Sequence, residues 1–153
     1  MATTLNNAQL VVRVTEKVTL NGRELGNTNK HTISGINEVS ERILTVPTDQ
    51  ITVLSSSSGL GAGTFLSSSI KYVRFTNLDD TNHIRLTFMS SSGGTTKNKA
   101  VFKLDPERSF IICNDSYSGS GIGTAFDTFQ SYTNIKAKAD TAAVDMEIFV
   151  ATT

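Results

Sequence analysis

The chain has 153 residues, with 14 Lys and Arg against 14 Asp and Glu, two His, one Cys, two Pro, eleven Gly and no Trp, a length at which one domain buries roughly 70% of its unfolded surface. The formal charge of zero removes both the basic field that non-specific nucleic-acid binding needs and the acidic field of a nucleic-acid mimic, and a single Cys excludes an internal disulfide framework or a Cys-based zinc cluster. No apolar run approaches the roughly 18 residues of a membrane span, and Met1-Ala2-Thr3-Thr4-Leu5 lacks the layout of a signal peptide, so the expectation is a soluble protein folded in a reducing cytoplasm, without nucleic-acid or membrane partners.

In chain order, residues 1–8 read as a polar N-terminal extension anchored by Leu5, and residues 9–153 as one domain. From Leu10 to Leu20 the residues Leu10, Val12, Val14, Val18 and Leu20 alternate with Arg13, Thr15, Lys17 and Thr19, the period of a strand; Glu16 interrupts that face and marks a bend or a partner contact. Glu41 to Val46 is a strand stopped by Pro47, and Ile51 to Leu54 another. Ile70 to Thr76 and His83 to Met89 flank Asn77-Leu78-Asp79-Asp80-Thr81-Asn82, whose short polar side chains suit a hairpin turn. Ala100 to Leu104 and Phe110 to Cys113 form a second pair around Asp105-Pro106-Glu107-Arg108. Ile135 to Ala139 and Val144 to Val150 close the set. The Ser-rich stretches, Ser55 to Ser58, Ser67 to Ser69, Ser90 to Thr96 and Ser116 to Thr124, read as loops. Helix is limited to a turn near Gly35 to Ser40 or Ala125 to Tyr132. About eight or nine strands at these spacings predict an all-β fold, a two-sheet antiparallel sandwich of jelly-roll type.

Chemistry is sparse along this pattern. A cupin-like metal site needs two or three converging imidazoles; only His31 and His83 are present, the first in a polar segment and the second a turn residue whose ring bonds backbone. Calcium needs converging carboxylates: Asp79 and Asp80 are adjacent and read as turn caps, while Asp115 and Asp127 flank the Gly-rich segment. Ser118 to Thr124 lacks the Gly-Lys-Ser/Thr ending and helix of a phosphate loop. No Gly-x-Ser-x-Gly elbow occurs, Cys113 lies in an apolar strand as a buried thiol, and Asp145 with Glu147 shares one strand face as the one carboxylate pair of glycosidase type. The reading is of no enzyme, with no catalytic, cofactor-binding or metal-binding residue and no cofactor. Tyr117 and Tyr132 border the Gly-rich segment and keep a carbohydrate-binding module for host-surface recognition open as an alternative.

Residues 72–86, from Tyr72-Val73-Arg74-Phe75-Thr76-Asn77-Leu78-Asp79 to Leu86, resemble small β-rich virion proteins of tailed bacteriophages, including those of marine and cyanobacterial hosts. Phe102 to Phe110 is similar to their "Leu-x-Pro-Gly-x-x-Phe" hairpin, with Glu107 where Gly is frequent, a departure that bears on the turn type. Ile135 to Ile148 completes the likeness, which spans residues 70–153. It implies a virion structural protein made in the host cytoplasm, first a capsid decoration or cement protein, alternatively a tail, neck or fibre component. The implied partners are copies of itself, a closed oligomer with a trimer as first choice, and the major capsid protein or tail proteins. Phe149, Val73 and Phe75, as apolar residues on otherwise polar strand faces, point to the same self-association. Lys136 and Lys138 read either as protection of an edge strand or as partners of Asp145 and Glu147.

Overall fold

The computed structural model describes residues 8–56, 64–66, 69–92, 95–113, 118–119 and 130–153. They form β1 (Ala8–Thr15), β2 (Val18–Leu20), β3 (Arg23–Leu25), β4 (Thr28–Ile36), β5 (Glu38–Val46), β6 (Ile51–Ser55), β7 (Ile70–Asn77), β8 (Ile84–Ser92), β9 (Thr95–Leu104), β10 (Ser109–Ile112), β11 (Ser118–Gly119), β12 (Gln130–Ser131), β13 (Asn134–Ala139) and β14 (Val144–Thr152), with no helix among the described residues. Two four-stranded sheets, β10-β7-β14-β5 and β6-β13-β8-β9, build the body, and every pairing in them is antiparallel. The body is a jelly roll: the chain changes sheet at each step through these strands except between β8 and β9, and its first and last strands, β5 and β14, are neighbours.

Alternation explains which side of each strand is wet. Val73, Phe75, Met146, Ile148 and Val150 from one sheet meet Val53, Leu86, Phe88, Ile135, Ala137 and Ala139 from the other in a single core. Each large side chain so buried contributes about 1.5–3 kcal/mol. Phe88 is the hub, with ring centroids 6.5 Å from Phe75, 5.5 Å from Phe102 and Phe110, and 5.1 Å from Tyr132. Val73 and Phe75 are therefore core residues, not leftovers on a polar face. Phe149 does point outward, yet it is covered within the chain by the edge of Tyr72, 5.8 Å away, and by Leu10 and Val12.

Several local expectations change for one reason, that a jelly roll pairs strands distant in sequence. The segments Ile70–Asn77 and Ile84–Ser92 do not form a hairpin, because β7 pairs with β14 and β10 while β8 pairs with β13 and β9. The same holds for β9 and β10, which lie in different sheets. Ile135 to Ala139 is interior, between β6 and β8, so Lys136 and Lys138 protect no edge; their side chains also leave from the sheet opposite to that of Asp145 and Glu147. Pro47 does follow an edge strand, β5, and its carbonyl accepts from Ala139 N–H at 2.9 Å. Gly35 to Ser40 is extended, not helical: Gly35, at φ 76°, is the extra residue where the register slips between Ala8 and Gln9 opposite Ile36 and Ser34. Ser90 to Ser92 continue β8 and Thr95 and Thr96 open β9, paired with one another, so the described part of that stretch is strand rather than loop. Of the other candidate helical turn, 125–132, residues 125–129 lie outside the described residues and Gln130–Ser131 are strand. Of the remaining Ser-rich stretches, 57–58, 67–68, 116–117 and 120–124 lie outside them, while Ser55 ends β6 and Ser118–Gly119 form β11.

The corners that carry the chain between sheets meet at Asn77, which is fully buried. Its amide donates to the carbonyls of Asn82 (2.8 Å) and Leu104 (3.3 Å) and accepts from Asp79 N–H (3.0 Å). Asp79 in turn accepts from the N–H groups of Thr81 (2.8 Å) and Asn82 (2.5 Å), as expected of a turn cap. Glu107 N–H reaches the Asp79 carbonyl at 3.1 Å, and Glu107 holds φ 55°, so this chain keeps a left-handed turn residue without the glycine that suits it. Replacing Asn77 by Ala strands the buried carbonyls and amide that it serves and lowers the unfolding free energy by about 1–3 kcal/mol in urea melts; a variant as stable as the parent contradicts this account of the corner.

Candidate functional site

Outside the body stands one long β-ribbon. β1 pairs with β4 and β2 with β3, joined by a hydrogen bond from Glu16 N–H to the Asn27 carbonyl at 2.9 Å. The end is an Asn21-Gly22 turn with φ 50° and 76°, the two positive values of a type I′ hairpin. Glu16 thus lies in the break between β1 and β2. Gly26 is required opposite it, since a Cβ there would lie 1.9 Å from the Glu16 carbonyl oxygen.

Only the base of the ribbon is packed. Leu10, Val12, Ile33 and Ile36 lie with Tyr72, Ala151, Phe149 and Cys113 on the outer side of the β10-β7-β14-β5 sheet. Every residue from 13 to 32 is exposed, including Val14 (49%), Val18 (56%), Leu20 (57%) and Leu25 (53%). At about 3.3 Å per residue, the stretch from Arg13 to Asn21 reaches on the order of 25 Å from that base. Polar support along it is slight: a Lys17–Glu24 ion pair at 3.0 Å and a Thr15–Thr28 hydroxyl contact at 3.2 Å. An isolated two-stranded ribbon is marginal in water, so this arm carries apolar side chains that its own body does not cover.

The two outer faces of the body differ in charge. On the β6-β13-β8-β9 sheet, Lys138, Arg85 and Lys103 are successive cross-strand partners, with Lys136 one row away. Lys103 holds Asp105 at 2.7 Å, and this hydrogen bond, helped by the nearby charges of Lys103, His83 and Arg108 and opposed by burial, sets the Asp105 carboxyl below its usual range. His83 Nδ1 lies 3.3 Å from the Asp140 carboxylate, so its ring faces a side chain rather than the backbone. On the β10-β7-β14-β5 sheet, Glu41 and Glu147 stand beside Arg74, which pairs with Glu147 at 2.8 Å and lies 5.9 Å over the Phe149 ring, and Asp145 lies further along the same face of β14. A hydrogen bond with Glu147, then loss of water and the repulsion of that carboxylate, push the Glu41 carboxyl up, while Arg74 opposes the shift.

The other candidate residues are scattered. His31 is exposed on the arm and His83 lies at the start of β8, and among the described residues no three His, Cys, Asp or Glu are placed to hold a metal ion. Cys113 is half-buried at the end of edge strand β10 rather than inside an apolar strand. Asp145 accepts from Thr45 Oγ1 at 2.7 Å and Glu147 is held by Arg74, so that pair faces the open side of a sheet and not a cleft. Tyr132 is half-buried against Phe88 and offers no free platform for a sugar. Ser118 and Gly119 pair with Ser131 and Gln130; Asp115, Tyr117 and Asp127 lie outside the described residues. No described helix is long and apolar enough to cross a membrane.

No known family's sequence profile matches the chain, and no curated protein is similar to it by sequence. Among solved structures it is similar to a chain of Bacillus endospore appendages, a family of disulfide-linked pili, at 11% identity and a TM-score of 0.41, with 100% of this chain and 98% of that chain covered. A similarity of that size says nothing about the role of this chain.

Replacing Gly26 by Ala drives a methyl group into the Glu16 carbonyl, so amide exchange across residues 13–30 accelerates while the melting of the body is unchanged; unaltered exchange contradicts the role given to Gly26. Acid acts through the corner. The folded Asp79 carboxyl is held low, first by the Asn82 and then by the Thr81 N–H, so its stabilising contribution is present above the ordinary Asp range and lost as pH falls through the folded value. Glu41 has the opposite sign: its contribution is full at low pH and is lost as pH rises through its raised value. In Asp79→Asn, acid melts lose stability less steeply below the usual carboxylate range, and slopes equal to those of the parent refute this.

Proposed function

We propose that the protein is a non-enzymatic structural component of a tailed-phage virion, most specifically a capsid decoration protein that assembles with copies of itself and with the particle. The observation that carries this reading is the arm: an extended ribbon with Val14, Val18, Leu20 and Leu25 exposed is completed only when another surface covers it. Such a ribbon suits a protein held in a lattice of neighbours, where main-chain and apolar contacts are shared between subunits. The jelly-roll body is an architecture used by capsid domains, and the resemblance across residues 70–153 points the same way.

The test is location. Purified particles are expected to contain the chain in stoichiometric amount on the capsid shell, seen by mass spectrometry and by labelling of particles in electron micrographs. Label at the tail, neck or fibres moves the protein to those parts, and its absence from particles refutes the proposal. The combined variant Val18→Ser, Leu20→Ser and Leu25→Ser is expected to melt like the parent yet to bind particles at least about tenfold more weakly, since each buried aliphatic side chain supplies about 1.5–3 kcal/mol.

A further inference from the structure

Both outer faces of the body set like charges side by side. Lys138, Arg85 and Lys103 oppose one another directly across β13, β8 and β9, an arrangement that weakens a sheet. Among the described residues, Arg85, Lys136 and Lys138 make no ion pair with a carboxylate. On the opposite side of the sandwich, Glu41 and Glu147 share one neighbourhood with Arg74, Asp145 lies two residues from Glu147 on the same face of β14, and Arg13 of the arm lines the hollow beside Arg74. Each patch has an exposed aliphatic residue within it, Val101 on the basic side and Ile43 on the acidic side. The chain as a whole is neutral, so its surplus of each sign is segregated between the two faces.

We infer that copies of this chain dock head to tail, the Lys138–Arg85–Lys103 row of one copy lying over Glu41, Asp145 and Glu147 of the next, with Val101 and Ile43 brought into the same contact. The inference rests on the self-assembly proposed above and supplies surfaces for it other than the arm. The two patches are complementary to each other and each carries a surplus of one sign, which disfavours a two-fold dimer through either one. A contact between unlike faces repeats, closing as a ring if the rotation per copy permits and running on as a fibre if it does not. It brings opposite charges within a Debye length, about 8 Å at physiological ionic strength, and removes the like-charge repulsion on both faces at once.

Sedimentation velocity on the full chain tests this. The wild type is expected to associate at low salt and to dissociate as salt is raised from about 0.05 to about 0.5 M. Arg85→Glu with Lys138→Glu makes both faces acidic, and Glu41→Lys with Asp145→Lys makes both basic, so each double variant alone associates about tenfold or more weakly. Mixed in equal amounts, the two variants associate again, because each now presents what the other lacks; a misfolded variant could not produce this rescue. Association indifferent to either reversal, or a mixture of melting-competent variants that stays monomeric, overturns the head-to-tail contact and leaves self-assembly through the arm standing. A wild type monomeric in every condition overturns both. A monomer retained on heparin through Arg85 and Lys138 places a polyanion on the basic row and overturns the second copy as its occupant.

Discussion

The amide of Asn77 sits where the chain leaves one sheet for the other, and the rest of the body depends on its being fully paired. In low dielectric, an unpaired donor or acceptor costs more than a hydrogen bond at the surface returns. Asn77 avoids that cost by serving three backbone groups at once, while its own N–H reaches the Arg108 carbonyl at 3.0 Å and the next N–H, of Leu78, reaches Asp145 at 3.0 Å. The crossings β7 to β8, β9 to β10 and β13 to β14 are thereby fastened to one point. On the side where β5 and β6 meet, the Arg42 guanidinium donates to the Val53 carbonyl and ties edge to edge between the sheets. The sandwich is held as two fastened margins around an aromatic and aliphatic filling.

This satisfied body throws its outer parts into contrast. Inside, Asn77 and Asp79 are paired at the corner and the large core side chains pack in one cluster. Outside, the arm carries aliphatic residues into water, and the two sheet faces carry surplus charge of opposite sign. A sequence adjusted only for the stability of one folded copy has no reason to place Lys138, Arg85 and Lys103 in line, or to extend a ribbon beyond its last packed residues at Val12 and Ile33.

What the sequence made legible was the side of each strand, and what it hid was the partner. The alternation of Val144, Met146, Ile148 and Val150 predicts their inward direction, and all four are core residues. Pairing follows from closure of two sheets on one another and joins residues as far apart as Thr45 and Asp145, so neither Asn77-Leu78-Asp79-Asp80 nor Asp105-Pro106-Glu107-Arg108 could announce locally that it crosses between sheets rather than folding a hairpin. The arm did carry a local signal: Asn21-Gly22 between alternating apolar residues is strong hairpin chemistry, masked by an alternation that runs from Leu10 to Leu20 with the period of a single strand. The charge row on the outer face was invisible for the same reason as the pairing, because Arg85 meets Lys138 and Lys103 only once β8 lies between β13 and β9.

The position of β14 has a consequence for synthesis. It follows every other strand in the chain, yet it lies between β7 and β5 and pairs with both. Until it is made, β5 has no ladder partner in its sheet, and β7 offers the ribosome-bound chain an unpaired margin beside apolar residues such as Val73 and Phe75. Pairings over such separations close slowly and leave these margins open to neighbouring nascent chains. Chaperone demand and the aggregation of truncated products should accordingly concentrate on chains that stop before Val144, even though those chains already contain most of the core.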